Sequence, residues 1–300
     1  MLLLITGSFD GTADRLVLSY GDGVFRFNYD LWKDYNVNYS PTFWSIENPA
    51  GLKISSETAT TTFWWKAFGY SLEDDRLIKE EVKYFLRDIY GWFATRGLAK
   101  GNSPYYHHYP FSKINILTYA SKYFLIPKTL FSIGLNSHKD FPNKNLVAKS
   151  LSSEISEDKT VLLTNPISSI NKLDPSYPWF LQEEIKSEWD ITVFLCGEKL
   201  FPFKRSRKEL KGIDWRAEQD FEFTKQEWFP FKMTKKQVEN LLDLASDLNV
   251  EFGRFDFMTQ EKSNNLVFLE LNASGQWVFL DIHNKYGLLD CFIDWLKDIK

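Results

Sequence analysis

Two carboxylates and an amide towards the carboxyl end of the chain have the spacing of a divalent-cation site. Residues 266–271, LVFLEL, alternate as a strand, so Glu270 and Asn272 fall on one face. Asp256 stands in the preceding apolar run, and a hairpin through the polar turn 260–265 brings its carboxylate alongside. Carboxylate and amide oxygens are hard ligands that Mg²⁺ accepts together with phosphate oxygens. The sequence therefore predicts a magnesium site made by Asp256, Glu270 and Asn272.

The alternative is a plain β-hairpin whose polar residues mark the strand ends and the turn. Strict alternation puts Leu266 and Phe268 on the same face as Glu270, so that face carries apolar residues first and polar ones after them. The segment 272–275 also has the composition of an ordinary turn. The combination of D-F, E-L-N and S-G-Q-W in one stretch favours a functional site over a plain hairpin.

Composition limits the class of protein. The chain has 300 residues, 44% hydrophobic and 25% charged, which is typical of a folded protein with one large domain or two to three smaller ones. Basic and acidic residues number 36 and 40, and this balance offers no broad electrostatic basis for binding nucleic acid or a membrane surface. No run approaches the roughly 20 apolar residues of a membrane span. Two cysteines are too few for a disulfide framework, so we expect a cytoplasmic protein.

Hydrophobic periodicity predicts the elements that position these residues. Strands are expected at 2–6 and 24–28, and the glycine-containing segment 7–11 matches no phosphate-binding motif, so an ordinary turn is expected there. A long amphipathic helix is expected to begin after a cap at Ser71 and to end at Gly97. Further predictions are a capping box at Thr234 and Gln237 and a last helix over 285–299.

The motifs D-F, E-L-N and S-G-Q-W resemble the metal-binding end of the ATP-grasp ligases. They are most similar to the E-x-N-x-x-G-Q-W segment of the ligases that mature microviridin-type peptides, the graspetides. The opening LLIT strand and the RFNYD segment at 26–30 also resemble the N-terminal domain of those ligases. The resemblance implies an α/β and α+β chain with the ATP-grasp fold. It would comprise a pre-ATP-grasp domain at 1–110, a central lid domain at 111–182 and a C-terminal domain at 183–300.

The resemblance also assigns residues to ATP. Lys113, at the start of a helix, and Lys149, inside an apolar strand, match lysines that reach the nucleotide phosphates. A lysine within a strand is costly unless its ammonium reaches an anion or snorkels to solvent, and both explanations stay open at 149. Asp190 matches the acidic residue that binds the ribose hydroxyls. The adenine-binding hinge corresponds to Gln182, Glu183, Glu184, Ile185 and Lys186, for whose glutamates a solvated strand edge is the alternative.

Two arginines are expected to act on the transferred phosphoryl group. The D-W-R triplet at 214–216 recurs in graspetide ligases, and the resemblance implies that Arg216 sets its guanidinium against the phosphoryl group, with Arg205 as its helper. Thr192 departs from the pattern, because many of these ligases have arginine there. His107 and His108 are not expected to bind metal, because adjacent side chains on a strand face opposite ways.

The activity that the resemblance implies is ATP-dependent carboxylate ligation. A carboxylate is phosphorylated by Mg·ATP, and a nucleophile then captures the acyl phosphate. In the graspetide branch both groups are side chains of one ribosomal precursor peptide with a leader sequence, so a macrocyclic ester or amide forms. The resemblance also raises a homodimer as an expectation. The alternatives are a ligase for free amino acids or a protein terminus, and a non-catalytic nucleotide- or peptide-binding protein.

Overall fold

The computed structural model describes most of the chain. The described residues are 1–66, 75–102, 112–134, 141–142, 144–151, 164–208, 210, 212–213, 228–260, 263 and 265–298. The first hundred residues contain β1 (Leu2–Thr6), α1 (Gly11–Tyr20), β2 (Val24–Asn28), β3 (Asn36–Tyr39), β4 (Trp44–Glu47), β5 (Lys53–Ser55), β6 (Thr61–Trp64), α2 (Arg76–Ala94) and β7 (Ala99–Lys100). Then follow α3 (Lys113–Ala120), β8 (Thr129–Ser132), β9 (Leu146–Lys149), β10 (Asn165–Ile167), β11 (Trp179–Glu183), β12 (Trp189–Cys196) and β13 (Lys199–Ser206). The last elements are β14 (Phe229–Pro230), α4 (Lys235–Asp247), β15 (Phe252–Thr259), β16 (Leu266–Asn272) and α5 (Leu288–Lys297).

A parallel sheet in the order β2-β1-β6-β7 organises the N-terminal part of the chain. Leu2 and Leu4 of β1 pack in one core with α1, whereas Leu3 and Ile5 pack in another core with α2. The two helices therefore cover opposite faces of this sheet. A small antiparallel sheet, β3-β4-β5, contributes Trp44, Ile46 and Ile54 to the α2 core.

Two antiparallel sheets form the rest of the described chain. One has the order β10-β9-β11-β8 and the other the order β14-β13-β12-β15-β16. Apolar residues of β12, β15 and β16 pack with α3 and α4 in one core. On the other side of the five-stranded sheet, Phe194 and Phe252 pack with α5 and with Leu2 and Leu4 of the parallel sheet. Within the described residues, no helix is both long enough and apolar enough to cross a membrane.

A bulge in the β15–β16 hairpin decides which side chains face the α3–α4 core. Asp256 pairs with Glu270 but Phe257 pairs with Phe268, so Leu269 is an extra residue in β16. Phe268 is fully buried against Phe257, and beyond the bulge Glu270 lies on the side of Asp256. The expectation that Phe268 and Glu270 share one face is therefore wrong, because strict alternation does not survive an inserted residue.

Of the other predicted elements, two strands and a capping box are confirmed, and the start of one helix is wrong. The bounds of β1 and β2 are confirmed. So is the capping box, in which the Gln237 N–H donates to Thr234 Oγ1 and the Thr234 N–H donates to Gln237 Oε1. Helix α2 begins at Arg76 with Asp75 as its cap, so the predicted cap at Ser71, itself outside the described residues, is wrong. The division of the chain at 110 and 182 stays a prediction.

The segment 7–11 is more than an ordinary turn. Its Asp10 is the N-cap of α1, a helix that the periodicity did not reveal, and its carboxylate accepts the N–H of Ala13 at 2.8 Å. The last helix, α5, is shorter than predicted and begins after Gly287.

Trp277, the last residue of the E-x-N-x-x-G-Q-W segment, is a core residue. It is fully buried, and its ring lies 4.7 Å from that of Phe194 and 4.9 Å from that of Phe292. We expect Trp277→Ala to lower the free energy of unfolding by about 3–5 kcal/mol, because it leaves a cavity where three elements meet. Urea denaturation measures the effect. Trp277→Phe keeps most of the volume and serves as control, and equal losses in the two variants would contradict the packing role.

Candidate active site

A cleft of about 140 Å³ opens between the two antiparallel sheets. One side is formed by β9 and β11, and the other by β12, β15 and β16. The predicted site residues that line this cleft are Lys149, Gln182, Glu183, Glu184, Ile185, Asp190, Asp256 and Glu270.

Asp256, Glu270 and Asn272, named here the acidic cluster, lie in direct contact. The Asn272 amide donates to Asp256 Oδ2 at 2.6 Å and to Glu270 Oε1 at 3.3 Å. The spacing read from the sequence thus brings these three side chains together, while their role as metal ligands stays a prediction. To serve as a third oxygen ligand, the amide would have to turn its oxygen towards the carboxylates.

Asp256 is held by more partners than the sequence indicated. Arg254 makes a two-point contact, Nε to Oδ1 and Nη2 to Oδ2, both at 3.1 Å, and Thr192 Oγ1 donates to Oδ1 at 2.6 Å. Burial raises the pKa of the Asp256 carboxyl above its usual value, Arg254 works against that shift, and Glu270 adds to it. Two partly buried carboxylates are thus held side by side, an arrangement that a divalent cation would relieve.

The acidic cluster offers few oxygen ligands, so it suits a cation that takes its remaining ligands from water or phosphate. Among the described residues, no group of three or more His, Cys, Asp or Glu side chains is placed to hold a metal ion. The acidic cluster has two carboxylates and one amide, and Mg²⁺ prefers six oxygen ligands, several of them water or phosphate. The cluster therefore suits Mg²⁺ that is shared with a nucleotide better than a metal held by protein alone.

Two lysines lie next to the acidic cluster. Lys149, the last residue of β9, lines the cleft and also a small recess that it shares with Lys113 and Glu270. Lys113 begins α3, and its ammonium donates to the Ser150 carbonyl. Ammonium groups beside a carboxylate–cation site are suited to phosphate oxygens.

The predicted hinge is fixed by backbone hydrogen bonds. The Glu183 and Glu184 N–H groups donate to the carbonyls of Lys128 and Asn145, each at 2.8 Å. Gln182 is 2% exposed and donates to Thr129 Oγ1 at 3.0 Å. Ile185 follows at the edge of the cleft. A backbone fixed in this way can offer hydrogen bonds to a flat ring with little loss of entropy.

Lys186, the last residue of the predicted hinge, is exposed and does not line the cleft.

Asp190 lies in the cleft wall, but its carboxylate is already engaged. Its two oxygens accept from Arg205 Nη2 and from Arg207 Nη1, both at 2.6 Å. A carboxylate has about four lone-pair sites, so acceptor capacity is left for a ribose hydroxyl. Arg205 is 6% exposed and is not among the described residues that line the cleft, whereas Arg207 is. Arg216 lies outside the described residues, as do His107 and His108.

Two arginines and two aromatic residues are among the cleft residues that sequence reasoning did not assign. Arg254 stands two positions before Asp256 on the same strand face, a spacing that could have revealed it. Arg207 belongs to the basic segment that follows β13, and its cross-strand partner Asp190 cannot be read from the sequence. Trp228 enters the cleft from an irregular segment and Phe279 from a short 3-10 helix, Val278–Asp281, and neither is long enough to give a periodic signal.

No protein-family model matches the chain, and no curated protein matches it either. Solved structures match over nearly its whole length. A macrocyclase bound with a precursor peptide, from Microcystis aeruginosa, has a TM-score of 0.78 at 22% identity and covers 99% of both chains. A RiPP-associated ATP-grasp ligase of Chryseobacterium gregarium, in complex with ADP and a leader and core peptide, has a TM-score of 0.83 at 21% identity, over 99% of this chain and 96% of that one.

The chain has the ATP-grasp fold. A D-alanine–D-alanine ligase from Bacillus anthracis complexed with ATP shares it, with a TM-score of 0.59 at 11% identity over 99% of this chain and 96% of that one. The predicted fold class is thereby confirmed. In this ATP-grasp chain the cleft lies between the sheet of β9 and β11 and the sheet that carries the acidic cluster.

Thr192 is suited to position Asp256, since the residue is 2% exposed and its hydroxyl donates to the carboxylate. We expect Thr192→Val to weaken Mn²⁺ binding roughly tenfold in the presence of ADP, because partners that orient a metal ligand typically contribute that much. Calorimetric titration with Mn²⁺ measures it. Thr192→Ser keeps the hydroxyl and should bind as the wild type does. Unchanged binding by the valine variant would exclude this role.

Proposed function

We propose that this ATP-grasp protein is an ATP- and Mg²⁺-dependent carboxylate ligase. The observation that carries the proposal is the acidic cluster, in which the Asn272 amide donates to both carboxylates and Asp256 and Glu270 line one wall of the cleft. Two lysines stand beside the cluster, and a fixed strand end with neutral and acidic side chains closes the far side. Cation ligands, phosphate-binding ammonium groups and a ring-binding strand edge are the parts that Mg·ATP requires.

Separate groups of residues would bind the metal, the phosphates, the adenine and the ribose of Mg·ATP. Asp256, Glu270 and Asn272 would hold Mg²⁺, which when bound neutralises charge on the phosphates. Lys149 and Lys113 would bind phosphate oxygens. The hinge residues 182–185, which line the cleft, would hold adenine, and Asp190 the ribose.

The proposed reaction has two steps. A substrate carboxylate oxygen attacks the γ-phosphorus and ADP leaves; a hydroxyl or amine then attacks the acyl carbon, loses its proton, and inorganic phosphate leaves. Guanidinium groups are suited to the charge on the transferred phosphoryl group. Arg254, which contacts Asp256, would serve in that role, and Arg216 with Arg205 stays a proposal for the same role.

We further propose that the substrate is a ribosomal precursor peptide with a leader, whose side chains become joined in a macrocycle. The structures with TM-scores of 0.78 and 0.83 are, respectively, a macrocyclase with its precursor peptide and a ligase with leader and core peptides, and this supports the proposal. The second candidate is ligation of free amino acids, which the match to the D-alanine–D-alanine ligase favours. We propose the cytoplasm as the location, where ATP is supplied and where the two buried cysteines stay thiols.

Glu270→Gln tests the proposed chemistry. ADP and phosphate release from Mg·ATP is measured with and without the candidate precursor encoded beside the gene, together with the intact mass of the peptide. We expect peptide-stimulated release and the loss of one water mass per ring in the wild type. The variant should be slower by about a hundredfold or more, because it loses one of two anionic ligands.

The other outcomes of this experiment are also informative. Release stimulated by free amino acids but not by the peptide would assign the chain to small-molecule ligation. Tight ATP binding without turnover of any carboxylate would exclude a ligase and leave a nucleotide-binding protein.

Lys149→Met tests the nucleotide site separately. We expect the Kd for ATP to rise about tenfold, because the variant loses a charge-assisted contact to phosphate. Equilibrium dialysis with ATP measures it. Lys172→Met removes an exposed lysine outside the cleft and serves as the matched control. Equal affinities in the two variants would show that Lys149 merely snorkels to solvent.

A further inference from the structure

The guanidinium group of Arg254 has a second anchor besides Asp256. Its Nη1 donates to the Gln276 carbonyl at 2.8 Å, while Nε and Nη2 contact the Asp256 carboxylate. All three guanidinium nitrogens are therefore held. One N–H on Nη1 and one on Nη2 have no acceptor within the described part of the chain. Because Arg254 lines the cleft, a ligand there could use these two N–H groups without breaking either anchor.

Of the two anchors, Asp256 is the one that a bound cation would weaken. Its Oδ1 accepts from Thr192 and Arg254, and its Oδ2 accepts from Arg254 and Asn272, so about four lone-pair sites are already occupied. A cation at this carboxylate has to displace one of these donors, and it repels the guanidinium as a like charge. The Gln276 carbonyl is neutral and lies outside the acidic cluster, so it would continue to hold Arg254.

The side chain of Gln276 fixes the residue to the start of α1. Its amide donates to Asp10 Oδ2 at 3.0 Å, and its Oε1 accepts from the Thr12 hydroxyl. Asp10 and Thr12 are only 8% and 4% exposed, so both contacts are made with buried partners. Gln276 lies in irregular backbone between β16 and the buried Trp277. The two side-chain hydrogen bonds, together with the burial of Trp277, therefore orient the carbonyl where strand pairing does not.

The loop that carries Asp10 is itself held in place. Arg26 Nη2 donates to the Gly7 carbonyl at 2.7 Å and to the Ser8 carbonyl at 3.2 Å. Asp30 accepts the Ser8 N–H at 2.8 Å and also the Ser8 hydroxyl. The first and last residues of the RFNYD segment thus fasten this loop, and the loop gives Gln276 a fixed support.

We propose that Gln276 is a positioning residue, whose carbonyl keeps the Arg254 guanidinium at the cleft wall when a cation occupies the acidic cluster. The inference rests on the proposed function, in which Arg254 binds the transferred phosphoryl group. Gln276 is not among the described residues that line the cleft, so it acts through Arg254 and not on the substrate. Its contact with Asp10 makes the N-terminal sheet part of the support of the active site.

Gln276→Glu tests the inference. The new side chain has nearly the same shape, but it sets a second carboxylate against Asp10 where the wild type has a hydrogen bond. ADP release from Mg·ATP is measured with the candidate precursor peptide encoded beside the gene. We expect kcat to fall about tenfold, as for other partners that orient a group at a metal site, and KM for ATP to stay nearly unchanged.

A second substitution should rescue this variant. In Asp10→Asn combined with Gln276→Glu, the asparagine amide can donate to the glutamate carboxylate, which restores the hydrogen bond in the reverse direction. We expect the double variant to recover most of the wild-type kcat, and Asp10→Asn alone completes the double-mutant cycle. Gln260→Glu makes the same change of charge at an exposed turn outside the cleft, and it should release ADP as the wild type does.

The rotation of the Arg254 guanidinium can be followed directly and without turnover. The side-chain nitrogen NMR signals of Arg254, assigned with Arg254→Lys, report this rotation in the protein with Mg·ADP. Because an acceptor on each nitrogen hinders rotation, we expect slow rotation in the wild type and in the double variant, and faster rotation in Gln276→Glu.

The remaining outcomes separate this inference from the proposed function. Full activity of Gln276→Glu, a loss that the double variant does not restore, or an equal loss in Gln260→Glu overturns the inference. A higher KM for ATP with kcat intact also overturns it, because Gln276 would then support nucleotide binding. Unchanged rotation of Arg254 beside peptide-stimulated ADP release would retain the ligase and reject the anchor. The expected pattern of rotation in a protein without turnover would retain the anchor and reject the ligase.

Discussion

The pairing of β15 with β16 is the constraint on which the rest of the site depends. It sets Asp256 against Glu270 and Arg254 against Asn272, so that four polar side chains share one side of the hairpin. The other side is fixed by aromatic packing, with Phe257 5.4 Å from Phe268. A slip of one residue would exchange the two sides, burying carboxylates and exposing aromatic rings. Packing of the aromatic core therefore fixes the strand register, and the register in turn fixes the positions of the charged side chains.

Charge explains why this arrangement suits a cation that comes with an anion. The acidic cluster carries two carboxylates, and the guanidinium of Arg254 compensates one of them at 3.1 Å. A divalent cation alone would leave an excess of positive charge in a poorly hydrated place, and a polyphosphate alone would be repelled by Glu270. The two together, with Lys113 and Lys149 beside them, come close to balance. Such a site would favour a metal–nucleotide complex over either component, because only the complex brings its charges close to balance.

The sequence was sufficient to predict residues whose position follows from the two-residue period of a strand. It was not sufficient where a bulge, or a partner distant in the sequence, determines the position of a side chain. Asp256 could be found because it interrupts an apolar run, and Glu270 and Asn272 because they follow one, but nothing at Leu269 marks the bulge. Helix α1 was missed although Asp10 caps it, because Val17 and the exposed Leu18 blur its apolar stripe. The pairing of Asp190 with Arg205 and Arg207 depends on the register of β12 against β13, which the local sequence does not encode.

Each residue type in the E-x-N-x-x-G-Q-W segment has its own physical reason. Glu270 and Asn272 belong to the acidic cluster. Gly275 is required because a Cβ at this position would stand 2.7 Å from the Cβ of Asn272. Gln276 then reaches the loop before α1, and Trp277 fills the core shared by the five-stranded sheet, α5 and the parallel sheet. One short segment therefore supplies two members of the acidic cluster and also the contacts that attach the N-terminal sheet beside it. The same segment therefore fixes both the acidic cluster and the position of the N-terminal sheet next to it. A resemblance confined to these few residues consequently predicts more of the cleft than the cluster alone.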